Sequence, residues 1–458
     1  MLCRVLVFLL CAAPIRHAED GADETTRLDP RWTCCLPAGI EWCAATGGGA
    51  DSRLLVCDKQ ARLHLLDLEA GAELFAEPVD VQPGTRFAGR SAGVAYCFGR
   101  SEVVALRVGP GGDGLTVQPG VLWRAAAAPA AETPGDPEFL TRLVAAGATP
   151  AGVLVVRSDG RIAELNRDDG AVRWRQRLPP ISACALHVRG ATAALLWQRG
   201  GQCIVAFVKL QGGAPAVRRT ALERSRPIWS GLADEGLVAL WPDSFALVPP
   251  DGEPTFHDLP GGAEARAVAL HAPAAQSPGD GAPGGRQPAA RLLVRTADAL
   301  LACDVTTGAR RSWALCGDEL EQAQDRQAAR PADWARRLLG IAGDLLFVPG
   351  ARGVGVRDVR TGDTLCSLRL DRPIDAAGHA GFAYALCAPT AVAAGGEYPR
   401  TLVLGRQRMG GVPGSVDSVP AGAGRFELGQ VEPVREVYWL GGTLVIVEER
   451  RLRAYTLP

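Results

Sequence analysis

Apolar residues along this chain alternate with polar ones in short bursts and do not recur at helical spacing. In "RLHLL" (62–66) and "RIAEL" (161–165) every second position shares a face, the two-residue period of a strand. Four such stretches align on an acidic or amide residue: Asp67, Asn166, Asp304 and Asp358. Glycine follows four positions later in each, at Gly71, Gly170, Gly308 and Gly362. An Asx side chain caps local backbone N–H groups and glycine takes positive φ without a Cβ clash, so each stretch predicts a tight hairpin turn. Four residues beyond the glycine stand Phe75, Trp174, Ser312 (with Trp313 beside it) and Cys366. The four stretches begin at 61, 160, 298 and 352, so the intervals are 99, 138 and 54 residues. These are two, three and one multiples of a unit of roughly 46–54 residues, the length of a propeller blade.

Weaker units fill the gaps: "SEVVALRVGPGG" (101–112), "QCIVAFVKLQGG" (202–213), "SFALVPPDG" (244–252), "RTLVLGRQ" (400–407) and "RLRAYTLP" (451–458). That makes nine candidate central hairpins. A four-stranded unit cannot bury both its faces alone, so stacking in a closed ring is the stable solution. The last unit stops at "RAYTLP", whereas "LDPRWTCCLP" (28–37) offers an outer strand before the first blade begins. Pairing 28–37 with the C-terminal blade (about 435–458) is therefore expected to close one all-β propeller over 19–458 and to remove an exposed edge.

"GRIAELNRDDGAVRW" (160–174) resembles the PQQ-like β-propeller repeat of the quinoprotein type. That repeat runs glycine, alternating apolar residues, Ala-Leu-Asp, Thr-Gly and then Trp. "ACDVTTGARRSW" (302–313) and "VRDVRTGDTL" (356–365) carry the Asp and the Thr-Gly. The resemblance implies eight four-stranded blades, so one of the nine hairpins is expected to be misread, with seven to nine blades as the range. It also implies that Trp174 and Trp313 dock neighbouring blades, with Phe75 as a substitute and Cys366 as a looser departure. The non-catalytic, BamB-like branch of the family is the expected placement.

Four insertions acquire positions from this phasing. The 125–137 and 317–337 segments connect an outer strand to the next blade and are expected to rise from one face, the second as a helical insert broken at Pro331. The 272–290 and 409–424 segments, rich in Pro, Gly and Ala, are expected on the opposite face. Long loops on a rigid scaffold are where partners bind.

Composition adds limits. A formal net charge of -1 argues against a broad electrostatic footprint for nucleic acid or anionic membrane. Residues 1–18 pair an early Arg4 with a short apolar run, Val5 to Ala13, as in a signal peptide. This predicts a periplasmic or secreted protein, and no other run is long enough for a transmembrane helix. The 13 cysteines lack the regular spacing of a disulfide framework.

Candidate chemistry is sparse. Quinoprotein dehydrogenases of the resembled family hold PQQ between a tryptophan and a vicinal Cys-Cys disulfide, near a calcium. Cys34-Cys35 falls in the expected closing strand, where successive side chains point to opposite faces, and no calcium-ligand segment accompanies it. "GRSAG" (89–93) spells a nucleophile elbow around Ser91, but a strand follows where a helix is needed. Neither Lys59 nor Lys209 follows glycine, which excludes a Walker loop, and the six histidines form no HxH or HExxH pair. His64 reads as a blade-face residue. The expectation is a non-enzymatic scaffold that binds protein partners through its loop faces, with no cofactor, no metal and no catalytic residue. A PQQ-dependent dehydrogenase, or a degenerate relative, and a carbohydrate-binding propeller are the alternatives.

Overall fold

The computed structural model describes residues 26–46, 52–109, 118–126, 142–210, 216–260, 267–271, 290–296, 299–315, 340–350, 353–369, 373–387, 401–409, 424–430 and 434–458. They form nine sheets, each built on a four-stranded antiparallel blade with strands A to D from the axis outward, and contain no helix. Strand C of successive blades is Arg62–Asp67, Glu102–Arg107, Arg161–Asn166, Gln202–Lys209, Ser244–Val248, Ala299–Asp304, Gly353–Asp358, Thr401–Arg408 and Arg451–Thr456. All nine hairpins read from the sequence are strand C of a blade. The expected count of eight is therefore corrected to nine. Most weak units lack the Asx-to-glycine signature but carry a near-continuous apolar run, as in "EVVALR" and "SFALV", which is how a strand buried on both faces reads.

Nine apolar clusters hold the ring, each shared by two successive blades. Between blades 1 and 2, Leu55 and Leu63 meet Ala95 and Val104. Leu54 and Val56, on the opposite face of the same strand, meet Val445 and Leu452 of blade 9. The same parity rule sends Ile162 toward blade 4 and Leu165 toward blade 2. Each blade thus buries one face against each neighbour, and the cluster between blades 9 and 1 closes the circle.

Closure is made by the N-terminal segment. Trp32–Cys35 pairs antiparallel with Arg451–Thr456, Cys34 opposite Leu452, and supplies strand D of blade 9. Arg31 N–H donates to the Ala454 carbonyl at 2.7 Å and Leu36 N–H to Arg450 at 2.8 Å, extending the seam at both ends. Just upstream, Thr26–Arg27 adds in parallel to blade 8 as a fifth strand, which no sequence pattern announced. Lys59 to Glu449 (2.8 Å) and Tyr438 Oη to the Cys43 carbonyl (2.8 Å) add polar contacts across the 9–1 seam.

Residues 1–18 lie outside the described residues, as do 317–337 and nearly all of the segments at 125–137, 272–290 and 409–424; Ala125, Ala126, Ala290, Met409 and Gly424 belong to the described parts.

Candidate protein-interaction surface

A surface that binds a partner needs a backbone that does not yield, and the repeat signature provides it. The Asp67, Asn166, Asp304 and Asp358 carbonyls accept from the N–H of Gly71, Gly170, Gly308 and Gly362 at 2.8–3.0 Å. The Asx side chains cap the turn, as where Asp67 Oδ1 accepts from Glu69 N–H (2.8 Å) and Ala70 N–H (2.7 Å). All four glycines lie at φ between 69° and 82°. An aromatic ring from strand D of the preceding blade lies over each of them. Trp32 covers Gly71, Trp123 covers Gly170, His257 covers Gly308 and Trp313 covers Gly362, each so close that a Cβ on the glycine would meet the ring at 2.1–2.8 Å. Trp32 Nε1 donates to the Leu68 carbonyl (2.9 Å) and Trp123 Nε1 to Arg167 (2.7 Å).

The sequence reading found the glycines and Trp313 but missed Trp32, Trp123 and His257, which stand about one blade upstream of the turns they cover. Trp174 sits in the seam between blades 3 and 4 and donates to Glu164 Oε2 at 2.9 Å. Phe75 is buried between blades 1 and 2, and Cys366 packs against the cluster between blades 7 and 8.

The residues weighed for chemistry are placed as follows. Cys34 and Cys35 are free thiols, Cys34 half-buried toward blade 1 and Cys35 exposed. Burial, then the Glu73 and Cys35 charges, push the Cys34 thiol up to about 11, so it is protonated and unreactive at neutral pH. Ser91 ends strand A of blade 2 and Val94 opens strand B, so "GRSAG" is a strand-to-strand turn. No group of three or more His, Cys, Asp or Glu among the described residues could hold a metal ion.

His64 stands between two carboxylates, with Nδ1 3.0 Å from Glu73 Oε2 and Nε2 3.4 Å from Asp58 Oδ2. Burial alone pulls its pKa down, but Glu73 and then Asp58 outweigh that and hold it above the ordinary value. Asp58 is pushed up by burial and brought lower overall by Arg62, His64 and the Gln60 N–H. A raised histidine contributes stability below its unfolded pKa of about 6.5 and loses that contribution as pH rises through the folded value. Urea titrations are therefore expected to show the wild type weakening from pH 6 to 8.5 relative to His64→Gln. Parallel profiles for the two proteins would refute the contribution.

The seam between blades 4 and 5 differs from the others in charge. Residues 183–227 hold seven basic residues and one acid, whereas 228–259 hold six acids and neither lysine nor arginine. Several of these pair across the seam: Arg189 with Asp234 (2.6 Å), Lys209 with Asp251 (2.6 Å) and Arg224 with Asp243 (3.1 Å). Arg189 and Asp234 line a shallow depression with Thr192, Leu232, Ala233 and Pro250. Exposed pairs of this kind contribute little stability, typically about 0.2–1 kcal/mol each, and the seam itself is held by the buried cluster of Leu196, Val205, Phe207, Leu237 and Val248.

An aromatic stack lies on the same seam. The Arg224 guanidinium carbon is 5.7 Å from the Trp241 ring centre and 5.3 Å from that of Phe256. Arg224 Nη1 donates to Ser244 Oγ (2.6 Å) and Asp243 Oδ1 (3.1 Å), and Trp241 Nε1 donates to the Ser225 carbonyl (2.8 Å). Trp241 is buried, yet Phe256 is 43% exposed, and Ile228, whose N–H donates to the Leu240 carbonyl, is 54% exposed. A pre-ordered arginine and aromatic pair beside exposed apolar side chains is the composition of an interface hot spot.

No family model and no curated protein matches the chain. Among solved structures, BamB from Moraxella catarrhalis is similar at 14% identity and a TM-score of 0.42, over 94% of this chain and 100% of that one. The WD40 domain of SCAP from fission yeast follows at 8% and 0.45, over 93% and 98%. Apo AztD from Citrobacter koseri stands at 11% and 0.43, over 83% and 99%. The propeller assignment rests on the nine sheets themselves.

Proposed function

We propose that the chain is a non-enzymatic propeller of the BamB-like branch that serves as an extracytoplasmic protein-interaction scaffold, with the rim of blades 4 and 5 as one contact surface. The observation that carries this reading is the exposure of Phe256 and Ile228 beside the Arg224–Trp241 stack. Burying the exposed half of these two side chains against a partner contributes about 0.7–1.5 kcal/mol each. Arg224 is already held in place by Asp243 and Ser244, so little ordering cost offsets that gain. The leader-like stretch at 1–18 supports the extracytoplasmic placement.

A photo-reactive amino acid at position 256 is expected to give discrete protein adducts in cells, and Ile228→Glu is expected to reduce them at least tenfold while the melting curve stays unchanged. Adducts that are absent, or that also form from a probe placed on the exposed edge of blade 6, would remove this surface from the proposal. Dye-linked alcohol oxidation by the purified protein supplied with PQQ and calcium would overturn the non-enzymatic reading and support the dehydrogenase alternative.

A further inference from the structure

We infer that one loop face of blades 2 to 4 receives an extended, acidic protein segment, and that an apolar side chain of this segment reaches Ile228. This assignment rests on the reading of blades 4 and 5 as a contact surface and gives that partner its chemistry. Strands B and D end, and strands A and C begin, at one face of the ring: in blade 4, Cys184 stands opposite Trp197 and Cys203 opposite Leu222. On that face the described residues from blade 2 to the start of blade 5 are 99–101, 142, 158–160, 177–183, 199–201 and 223–228. Arg100, Arg142, Arg177, Arg199 and Arg226 are all exposed there, and none is in an ion pair with a described acid. The same stretches hold two acids. Asp159 is taken by Arg157 (3.3 Å) and Arg161 (3.5 Å), which leaves Glu223. Arg224, the remaining arginine of these stretches, is held by Asp243 and Ser244.

The backbone fixes where these side chains start. Leu143 N–H donates to the Arg100 carbonyl (2.8 Å), Ser158 N–H to Arg142 (2.8 Å), Ile181 N–H to Ser158 (2.9 Å) and Cys203 N–H to Arg224 (2.9 Å). Each connection between blades is thus tied to the turn beside it. At the end of blade 3 one row crosses all four strands, with Leu143 opposite Arg157 and Arg161 opposite Arg177. Arg142 and Arg177 flank that row at its inner and outer ends, roughly 14 Å apart at three strand spacings. A planar guanidinium meets a carboxylate with two parallel hydrogen bonds, so an arc of arginines on a fixed backbone suits a chain that offers carboxylates in succession.

Two observations select a protein over a nucleic acid or another polyphosphate. Ile228, 54% exposed, lies two residues beyond Arg226, so the basic arc ends on an apolar contact. From there, residues 228–259 carry six acids and neither lysine nor arginine, which repels a chain charged at every unit. A protein segment can place its carboxylates over blades 2 to 4 and stop them before blade 5. Base stacking needs exposed aromatic platforms, and the stretches named above contain no aromatic residue. A second copy of the same face would set arginine against arginine. Packed sheets lie roughly 10 Å apart, so the three steps from Arg100 in blade 2 to Ile228 in blade 5 span roughly 30 Å, the reach of about nine extended residues.

The test uses the full chain and a fluorescent dodecapeptide with glutamate at every second position and a leucine at each end. Its counterparts carry lysine for glutamate or serine for leucine, and a single-stranded oligonucleotide of equal charge is run beside them. The acidic peptide is expected to bind, more weakly as salt rises. Its Kd should rise at least tenfold for Arg142→Glu/Arg177→Glu and for Arg199→Glu/Arg226→Glu, whose melting curves should match the wild type. Arg219→Glu/Arg311→Glu, the same charge change on outer strands away from this face, should leave Kd within twofold. Serine for leucine should cost at least threefold, and Ile228→Ser should add nothing to that loss. Binding of the lysine peptide, tighter binding of the oligonucleotide, or an equal loss in Arg219→Glu/Arg311→Glu would each overturn the acidic partner. Failure of the peptide to bind while adducts at position 256 persist would overturn it too and leave the surface on blades 4 and 5 standing. Adducts absent at 256 while the peptide binds would instead remove that surface and keep the chemistry of this face.

Discussion

Trp32→Ala is expected to destabilise the ring by about 3–5 kcal/mol, the cost of removing a large aromatic side chain from a packed site. The indole lies over Gly71, donates to the Leu68 carbonyl at 2.9 Å and packs on the cluster that joins blades 9 and 1. It therefore anchors the closing strand to blade 1, while the backbone of that strand pairs with Arg451–Thr456. Trp123→Ala removes an equivalent ring from over Gly170, but there the strand is continuous with its own blade. Both variants are expected to unfold at lower urea. Only Trp32→Ala should also speed hydrogen exchange across Arg451–Thr456, because it loosens the strand that covers that edge. Unchanged exchange at 451–456 in Trp32→Ala would show that backbone pairing alone holds the closure.

Glu164→Ala is the second large effect, at about 3 kcal/mol. Glu164 is fully buried in strand C of blade 3, with three donors on its two oxygens. Thr149 Oγ1 donates to Oε1 at 2.7 Å, while Trp174 Nε1 (2.9 Å) and Arg173 Nη1 (3.1 Å) donate to Oε2. Alanine leaves the Thr149 hydroxyl and the indole N–H without this acceptor, at about 1–3 kcal/mol for each buried group. Arg173 is partly exposed and turns to water, so its share is smaller. Glu164→Gln keeps the shape and one acceptor oxygen and is expected to lose less than half as much in the same urea titration. Equal losses for alanine and glutamine would assign the effect to charge and not to the hydrogen-bond set.

Much of the fold was legible because a short apolar or alternating run bounded by turn residues is a local property. Each strand C announces itself within six residues, whether or not a signature turn follows, as "QCIVAFVK" and "RLRAYT" illustrate. The blade count of nine lies at the upper end of the expected seven to nine; the resemblance favoured eight where the residues themselves gave nine. The docking rings were hidden for a physical reason. Trp123 and Gly170 are 47 residues apart, and nothing in either neighbourhood says that they touch. His257 was harder still, since a histidine stands where the other three turns are covered by tryptophan. The charge exchange between blades 4 and 5 was present in the sequence, but the even net charge of the whole chain concealed it. The exposed pair at that rim could not be read at all. "IWSGL" and "TFHD" look like any other buried alternation until the neighbouring blade leaves Ile228 and Phe256 uncovered.

The pairing of Trp32–Cys35 with Arg451–Thr456 imposes an order on biosynthesis. The first of these strands emerges from the ribosome about 400 residues before the second. At ~5–20 residues per second, it waits roughly 20–80 s for its partner. Throughout that interval blade 1 carries an open apolar face, with Leu54, Val56 and Leu66 bare to solvent. Nascent chains of this protein are thus most exposed to misassembly at their oldest end, and a chaperone that shields the blade 1 face until translation finishes would raise the yield of closed rings.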